Sequence, residues 1–372
     1  MNTPTVKPVQ LHAPIPERGF SLVELMVALV ISTVLVVGAS QLYLSTRNSY
    51  GVSETVSRLQ ENSRYAMSVL EPDIRMANNF GLLNDPALAL SNINRAAVAQ
   101  TAAAASIAPG VPANACGTNF AVDILNSIQA DNNAYALSAS RTATCDALSG
   151  WATTPVASSD TLTIRRASTV NVVAANTTAN TLQICSQRTT GVLVSAATAC
   201  PAAPTGQINN LVVHAYYVDR NSSVRAGYPS LRRKTLTSVG GVIQFADQEI
   251  IPGVEDMQVQ IGVNQTGTTG IATRYINPDA LPAVMAAGGQ VVAVRLWLLL
   301  RADEQENTFV DSRIYAYGDR LAATGVTGDL NVAAAGRAFQ PSLSADNSTT
   351  GIKRYRRLLL TRTIQLRNAL GS

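Results

Sequence analysis

The chain has 372 residues, of which 47% are hydrophobic and 14% charged, and its formal net charge is +4. This composition can bury a core, which excludes a disordered chain, and the mild charge does not indicate a nucleic-acid-binding protein. The two histidines, His12 and His214, exclude a multi-histidine metal site. There is no Walker A loop, G-x-S-x-G elbow or G-x-G-x-x-G motif, so we predict no catalytic, cofactor-binding or metal site and no enzyme activity.

The chain begins with a leader, residues 1–19, followed by a long apolar run. The leader contains four prolines, which prevent a continuous helix: Pro4, Pro8, Pro14 and Pro16. Residues 20–37 read FSLVELMVALVISTVLVV, and the apolar character continues to Leu44. A helix of this length crosses a bilayer core. Its one charge, Glu24, is costly inside a membrane and is therefore a functional candidate.

Two interpretations of this run differ in where the chain is cut. In the first, it is an ordinary signal peptide in which Val37-Gly38-Ala39 supplies the small residues before a cut ahead of Ser40. The product would then be a soluble periplasmic protein, for example a binding protein or a hydrolase. Against this stands Glu24, a poor residue for the apolar region of a signal peptide.

The second interpretation comes from the segment Arg18-Gly19-Phe20-Ser21-Leu22-Val23-Glu24-Leu25, which resembles the class III signal of type IV prepilins and type II secretion pseudopilins. This resemblance implies that a membrane peptidase cuts between Gly19 and Phe20 and that Phe20 is then N-methylated. It also gives Glu24 a role in filament assembly, in which the carboxylate pairs with the N-terminal amine of a neighbouring subunit. We favour this interpretation.

Beyond Leu44 the sequence keeps a helical period but becomes amphipathic. One stripe recurs at steps of three and four residues: Val52, Val56, Leu59, Ser63, Ala66 and Leu70. We therefore predict an N-terminal helix over residues 20–79, transmembrane over 20–44 and amphipathic afterwards. Pro72 should end or kink it at Glu71.

The remaining residues, 80–372, are predicted to form a globular head. Residues 85–158 are rich in Ala and Ser and are expected to be a surface insertion without recognisable chemistry. After them, β-rich or alternating segments indicate strands near 161–165, 211–218, 257–263, 291–300 and 358–366. No long helices separate these segments. The predicted class is therefore α+β, with the N-terminal helix packed on an antiparallel β-sheet.

Four cysteines lie in the head: Cys116, Cys145, Cys185 and Cys200. No C-x-x-C spacing occurs, so zinc binding is not expected. In an oxidising compartment they would form two disulfides, for which three pairings exist. We favour the local pairing, 116 with 145 and 185 with 200, and the alternative is four buried thiols.

Two basic clusters and one histidine in the head are candidate binding residues. The clusters are Arg232-Arg233-Lys234 and residues 353–357, which read KRYRR. They would suit DNA, anionic lipid or a partner subunit, but such runs are more often the solvated face of an edge strand. His214 lies among aromatic and β-branched residues and is predicted to be a packed core histidine.

Several segments resemble, in the same order, the PilW type of minor pilin, a relative of pseudopilin J. They are residues 59–66, 70–77, 159–163, 228–233, 251–263, 294–301, 355–358 and 366–368. Pro72, the pair Asn78-Asn79 and the long leader depart from the family pattern. The resemblance implies a pilin-like fold.

The same resemblance implies a function and a location. It places the chain in the inner membrane as a single-pass protein with a periplasmic head. It also implies that other minor pilins, the major pilin, the prepilin peptidase and the inner-membrane assembly machinery are partners, in an initiating or tip complex of the type IV pilus. The alternatives are a J-like pseudopilin of type II secretion, the soluble periplasmic protein, and a DNA-capture subunit or adhesin that uses the basic clusters.

Overall fold

The computed structural model describes residues 19–83, 120–135, 155–156, 158–172, 181–195, 206–239, 242–265, 270–306, 308–327, 337–340 and 352–368. The chain divides into two units, Met1–Glu54 and Thr55–Ser372. Among the described residues, the α-helices are α1 (Leu22–Arg75) and the short α2 (Leu281–Ala286). The strands are β1 (Ile128–Asp131), β2 (Thr161–Asn171), β3 (Leu182–Ser186), β4 (Gly191–Ser195), β5 (Gln207–Asp219), β6 (Ser230–Val239), β7 (Val242–Pro252), β8 (Val254–Asn264), β9 (Arg274–Ile276), β10 (Gln290–Arg301), β11 (Leu321–Thr327), β12 (Arg337–Gln340) and β13 (Arg357–Gln365).

Two antiparallel sheets form the second unit. The first has the order β1-β2-β5-β3-β4, and β5 also pairs with β6, which pairs with β7. The second has the order β13-β10-β8-β9. A separate pair, β11 and β12, is parallel. The predicted α+β class with antiparallel sheets is confirmed, and each of the five predicted strand segments overlaps a strand.

The second half of α1 contributes one stripe to the core of this unit. Its buried residues follow the predicted helical period: Leu59, Ser63, Ala66, Met67, Leu70, Asp73 and Ile74. Val56, earlier on the predicted stripe, is 37% exposed. The stripe packs with apolar side chains of both sheets, among them Leu162 and Leu298, in one cluster. Residues of the second half of α1 and of both sheets therefore form one hydrophobic core.

The end of α1 differs from the prediction. The helix continues past Glu71 to Arg75, so the expectation that Pro72 ends it is wrong. The two residues after Pro72, Asp73 and Ile74, are both buried in the head, and these contacts hold the last turn. The chain then reverses at Asn78, which has a φ of 64° and whose side chain donates to the Asn368 carbonyl. A left-handed Asn is a common way to end a helix.

The other face of the first sheet is covered by residues that were expected to belong to a surface insertion. Phe120, Val122 and Ile124 are almost fully buried there, against β5 and Phe245. The β1 strand that follows pairs with β2. Within the described residues, 120–135 is therefore core and not a surface loop, because its apolar residues alternate inside an Ala/Ser-rich stretch. Of the predicted insertion, residues 85–119, 136–154 and 157 lie outside the described residues.

The shared core predicts the cost of truncating α1. Leu70→Ala removes a fully buried side chain from the contact between the helix and both sheets. We expect it to lower the free energy of unfolding by about 2–5 kcal/mol. Urea unfolding of the detergent-solubilised protein, followed by near-UV circular dichroism, measures this change.

The matched control is Val56→Ala on the same helix, where the side chain is partly exposed. It should change the free energy of unfolding by less than about 0.5 kcal/mol. Equal effects of the two substitutions would contradict the packing described for α1.

Candidate functional site

The Glu24 side chain caps the first turn of α1. Ser21 precedes the helix, and its backbone N–H donates to Glu24 Oε2 over 3.0 Å. A carboxylate at the third helical position that reaches back to the N-cap amide satisfies a donor that the helix leaves without a partner. The S-x-x-E spacing that signals this cap is present in the sequence, but the sequence-based interpretation of Glu24 as a membrane charge missed it.

The apolar run from Phe20 to Leu44 exposes hydrophobic side chains around the whole circumference of α1. Phe20 is 87% exposed, and the large apolar residues on every face are exposed as well. Three hydroxyls within the run donate back to helix carbonyls, those of Ser32, Thr33 and Ser40. Among the described residues, α1 is the helix long and apolar enough to cross a membrane. Apolar faces and satisfied hydroxyls are what a lipid-facing helix requires.

A buried carboxylate connects the end of α1 to the first sheet. Asp73 Oδ1 accepts a bond of 2.8 Å from Arg166 Nε on β2. Its Oδ2 lies 2.6 Å from His214 Nδ1 and accepts a bond of 2.7 Å from the Tyr216 hydroxyl, both on β5. An ionised carboxylate only accepts, so His214 carries its proton on Nδ1. All three contacts are between groups far apart in sequence, which fixes the helix on the sheet at one register.

The environment of Asp73 lowers its pKa to about 2. Burial by itself raises that pKa, but hydrogen bonding and charge from His214, together with the charge of Arg166, outweigh it. Burial of Tyr216, together with the same carboxylate, raises the pKa of that hydroxyl. The carboxylate therefore stays ionised and paired over the physiological range. His214 is buried, as predicted, but it is also a hydrogen-bonding partner of the helix.

The first basic cluster does not lie on an edge strand. Its strand, β6, is paired on both sides, by β5 and β7. Arg232 donates to Asp247 over 2.6 Å, and Lys234 Nζ lies 3.6 Å from the same carboxylate. Both cations are buried. The prediction of a solvated edge is wrong here, because acidic residues on β7 neutralise the cluster inside the sheet.

In the second basic cluster Arg357 is buried, and the other three cations are half-buried. Arg357 binds both oxygens of Glu255, at 2.6 and 3.0 Å, and Arg301 donates to the same carboxylate. Burial raises the pKa of Glu255, but the two guanidinium groups hold it below its ordinary value. Arg356 pairs with Glu306. Arg356 and Arg357 thus contact carboxylates of the same chain, which does not favour the DNA-capture alternative.

The other predicted site residues are placed as follows. Gly19 and Phe20 precede α1 and are exposed. Cys185 is buried in β3 and is part of a disulfide. Cys116, Cys145 and Cys200 lie outside the described residues, so the pairing stays a prediction.

Two family models match the chain, one in the head and one at the N-terminus. Residues 215–368, from within β5 to beyond the end of β13, match the family described as type IV pilus-assembly protein W. Residues 16–40, which contain the Ser21–Glu24 cap, match the prokaryotic N-terminal methylation motif. These two matches support a type IV minor pilin of the PilW type. They support a function related to the type IV pilus, and the family they indicate is structural rather than catalytic.

Among solved structures, the chain is similar to a type IV-like pilin from Thermus thermophilus. The two are 14% identical with a TM-score of 0.25, over 57% of this chain and 79% of the other. No curated protein matches the chain.

The Asp73 contacts predict an acid-dependent stability of the protein. A carboxyl whose folded pKa lies below its unfolded value stabilises the fold above the unfolded pKa, and this stabilisation is lost as the pH falls through the folded pKa. For Asp73 the window runs from the ordinary 3.8 to about 2, which corresponds to about 2 kcal/mol. Asp73→Asn should lose about 3 kcal/mol at neutral pH and lack this part of the acid dependence.

Urea unfolding of wild type and variant between neutral pH and about pH 2 measures the difference. The control is Asp303→Asn, which breaks the half-exposed pair with Arg58 and should cost less than about 1 kcal/mol. Parallel acid profiles of wild type and Asp73→Asn would show that the carboxylate does not carry the effect.

Proposed function

We propose that the chain is cut between Gly19 and Phe20, N-methylated at Phe20, and then incorporated with other minor pilins and the major pilin into an initiating or tip complex of the type IV pilus. The observation that carries the proposal is the presence on one chain of the methylation motif over 16–40 and the PilW match over 215–368. The motif accounts for processing, and the PilW match accounts for the class of filament.

The proposed location is the inner membrane, with a single span and the head in the periplasm. The apolar first part of α1 supports anchoring. The disulfide at Cys185 supports a head in an oxidising compartment. In this location the prepilin peptidase and the inner-membrane assembly machinery have access to residues 19 and 20.

The proposed role of Glu24 is to neutralise the N-terminal amine of a neighbouring subunit. In the single chain its carboxylate accepts from the Ser21 N–H, one residue from the amine that processing would create at Phe20. A neighbour's helix brings a second cation into the apolar environment, where opposite charges attract strongly and an uncompensated charge is costly. Glu24 is thus the group through which the apolar segments would assemble in register.

The alternative is a J-like pseudopilin of type II secretion, which shares the same processing and fold. The two differ in the proteins that the head contacts. Crosslinking in the native host followed by mass spectrometry distinguishes them: pilus proteins support the proposal, and secretion proteins support the alternative.

Processing is tested by the N-terminal peptide of protein recovered from host membranes. We expect N-methylated Phe20, leaving 353 residues after removal of the first 19 of 372. Gly19→Val should leave the leader attached, because the residue before the cut would become bulky. A Cβ at Gly19 or at Gly38 meets no atom within 4 Å, so Gly38→Val is a matched control that should be processed normally.

A chain that starts at Ser40 would refute the processing proposal, since it would lack both the apolar segment and Glu24. Cleavage of Gly19→Val at the wild-type rate would show that the peptidase does not recognise this motif.

The role of Glu24 is tested by Glu24→Gln. Glutamine retains an oxygen that can accept the Ser21 N–H, so the cap is kept while the charge is removed. We expect normal insertion and cleavage, but incorporation into pili at least about tenfold lower, because a buried charge pair loses one partner. Quantitative immunoblotting of sheared pili against total membrane protein measures the ratio.

Ser21→Ala is the control, since it removes the N-cap hydroxyl while retaining the backbone N–H and the carboxylate. It should assemble at close to the wild-type level. If Glu24→Gln also assembles normally, Glu24 serves only as a helix cap.

A further inference from the structure

A cluster of buried oxygen atoms lies where the ends of β1 and β2 meet β8 and the turn before β11. Asp160 Oδ1 accepts from the Asn133 N–H and its Oδ2 from the Val259 N–H, both over 2.7 Å. The Asn133 side-chain amide donates to Asp319 Oδ2 over 2.6 Å. These contacts bring residues of four separate segments into one small volume.

One buried amide in this cluster has an oxygen without a partner. Gln258 is 1% exposed, and its Nε2 donates to the Ser158 carbonyl over 3.2 Å. Reversing the amide would place oxygen against that carbonyl, so the assignment is fixed and Oε1 remains without a donor. A buried acceptor without a partner is costly and calls for an explanation.

Two further oxygens share this property, and they belong to Asn133 and Asp319, which a hydrogen bond joins. Asn133 Oδ1 and Asp319 Oδ1 are buried and lack a hydrogen-bond partner. The connection to Gln258 runs through Gly318: a Cβ on this residue would lie 2.9 Å from Gln258 Cβ and 3.6 Å from Oε1. Gly318 has a φ of 62°, so both its conformation and its space require glycine. Gly318, the residue before Asp319, therefore packs directly against the Gln258 side chain.

The cluster also concentrates negative charge. Asn133 binds one carboxylate oxygen of Asp160 through its backbone N–H and one of Asp319 through its side-chain amide, so two carboxylates of like charge lie on either side of one residue. The neighbouring Arg320 binds both oxygens of Asp256, at 2.7 and 2.9 Å. A second positive charge close to Asp160 and Asp319 would relieve this repulsion.

We propose that this cluster binds a hard divalent cation, Ca²⁺, through the carboxylates of Asp160 and Asp319 and the side-chain carbonyl oxygens of Gln258 and Asn133. Ligands that are all oxygen suit Ca²⁺ and disfavour the softer transition metals. In the described part of the chain, no three His, Cys, Asp or Glu side chains form a metal-binding group. Two carboxylates completed by amide oxygens and water correspond to a weak site of the extracellular kind, half-saturated at about 0.1–1 mM.

Bound Ca²⁺ would join the end of the β1–β2 hairpin to β8 and to the 317–320 turn. The cation therefore stabilises the head, and the proposal does not depend on the role in pilus assembly.

The test uses the full-length protein in detergent after dialysis against a chelator. Equilibrium dialysis with radioactive Ca²⁺ should give one ion per chain, and the Tm should rise with Ca²⁺ and return to its starting value with excess chelator. Mg²⁺ should bind more weakly, because it requires a smaller and more regular octahedron. Absence of bound Ca²⁺ in wild type at about 10 mM, well above the expected half-saturation, would overturn the proposal.

Asp319→Asn identifies the site. It keeps an oxygen for the Asn133 amide but removes one ligand charge, and it should weaken Ca²⁺ binding at least about tenfold. Glu304→Gln removes a carboxylate charge at an exposed position and should bind as wild type. Equal affinity of Asp319→Asn and wild type, or equal loss in both variants, would also overturn the proposal. If Asp319→Asn does not fold, the number of Ca²⁺ ions bound per wild-type chain tests the proposal by itself.

Discussion

The head depends on one buried carboxylate, that of Asp73, at the end of α1. Apolar packing of the helix stripe supplies most of the burial, but such packing tolerates small shifts along the helix. The three donors on β2 and β5 do not tolerate such shifts, because each must approach one of the two Asp73 oxygens from a particular direction. The contacts also explain why α1 continues for a turn beyond a proline: the residues after Pro72 are held by the sheet and not by the local helix preference.

Buried ion pairs recur through both sheets. Arg357 and Arg301 share Glu255, Arg320 is paired with Asp256, and Arg232 with Asp247. Replacing such pairs with apolar groups often leaves stability unchanged, whereas removing a single partner is strongly destabilising. Their physical effect in this head is therefore on strand register: a strand that slipped by one residue would leave a guanidinium group buried without its carboxylate.

The sequence was sufficient for features with a local signal. The uniform apolar run predicted the first half of α1, the three-and-four spacing predicted its buried stripe from Leu59 onwards, and alternation predicted strands such as β8. It was insufficient where the decisive partner is distant. Arg232 and Arg357 were expected at a solvated edge because the carboxylates facing them, Asp247 and Glu255, come from other strands. The sequence also did not indicate that Phe120 is a core residue, because the stretch around it is rich in small residues.

Under the role proposed for Glu24, the cap at the start of α1 would make assembly an exchange of partners and not a simple addition. Before any neighbour arrives, Glu24 already accepts from its own helix at Oε2. An incoming amine must share or displace this bond, whose loss costs the helix about 1 kcal/mol. The free energy of attraction between subunits would be reduced by that amount. A subunit that dissociates would regain the free energy of its own helix-cap bond. When two subunits separate, the Glu24 carboxylate would regain its hydrogen bond within its own helix. The contact between subunits could therefore form and dissociate repeatedly without leaving that carboxylate unpaired in the lipid.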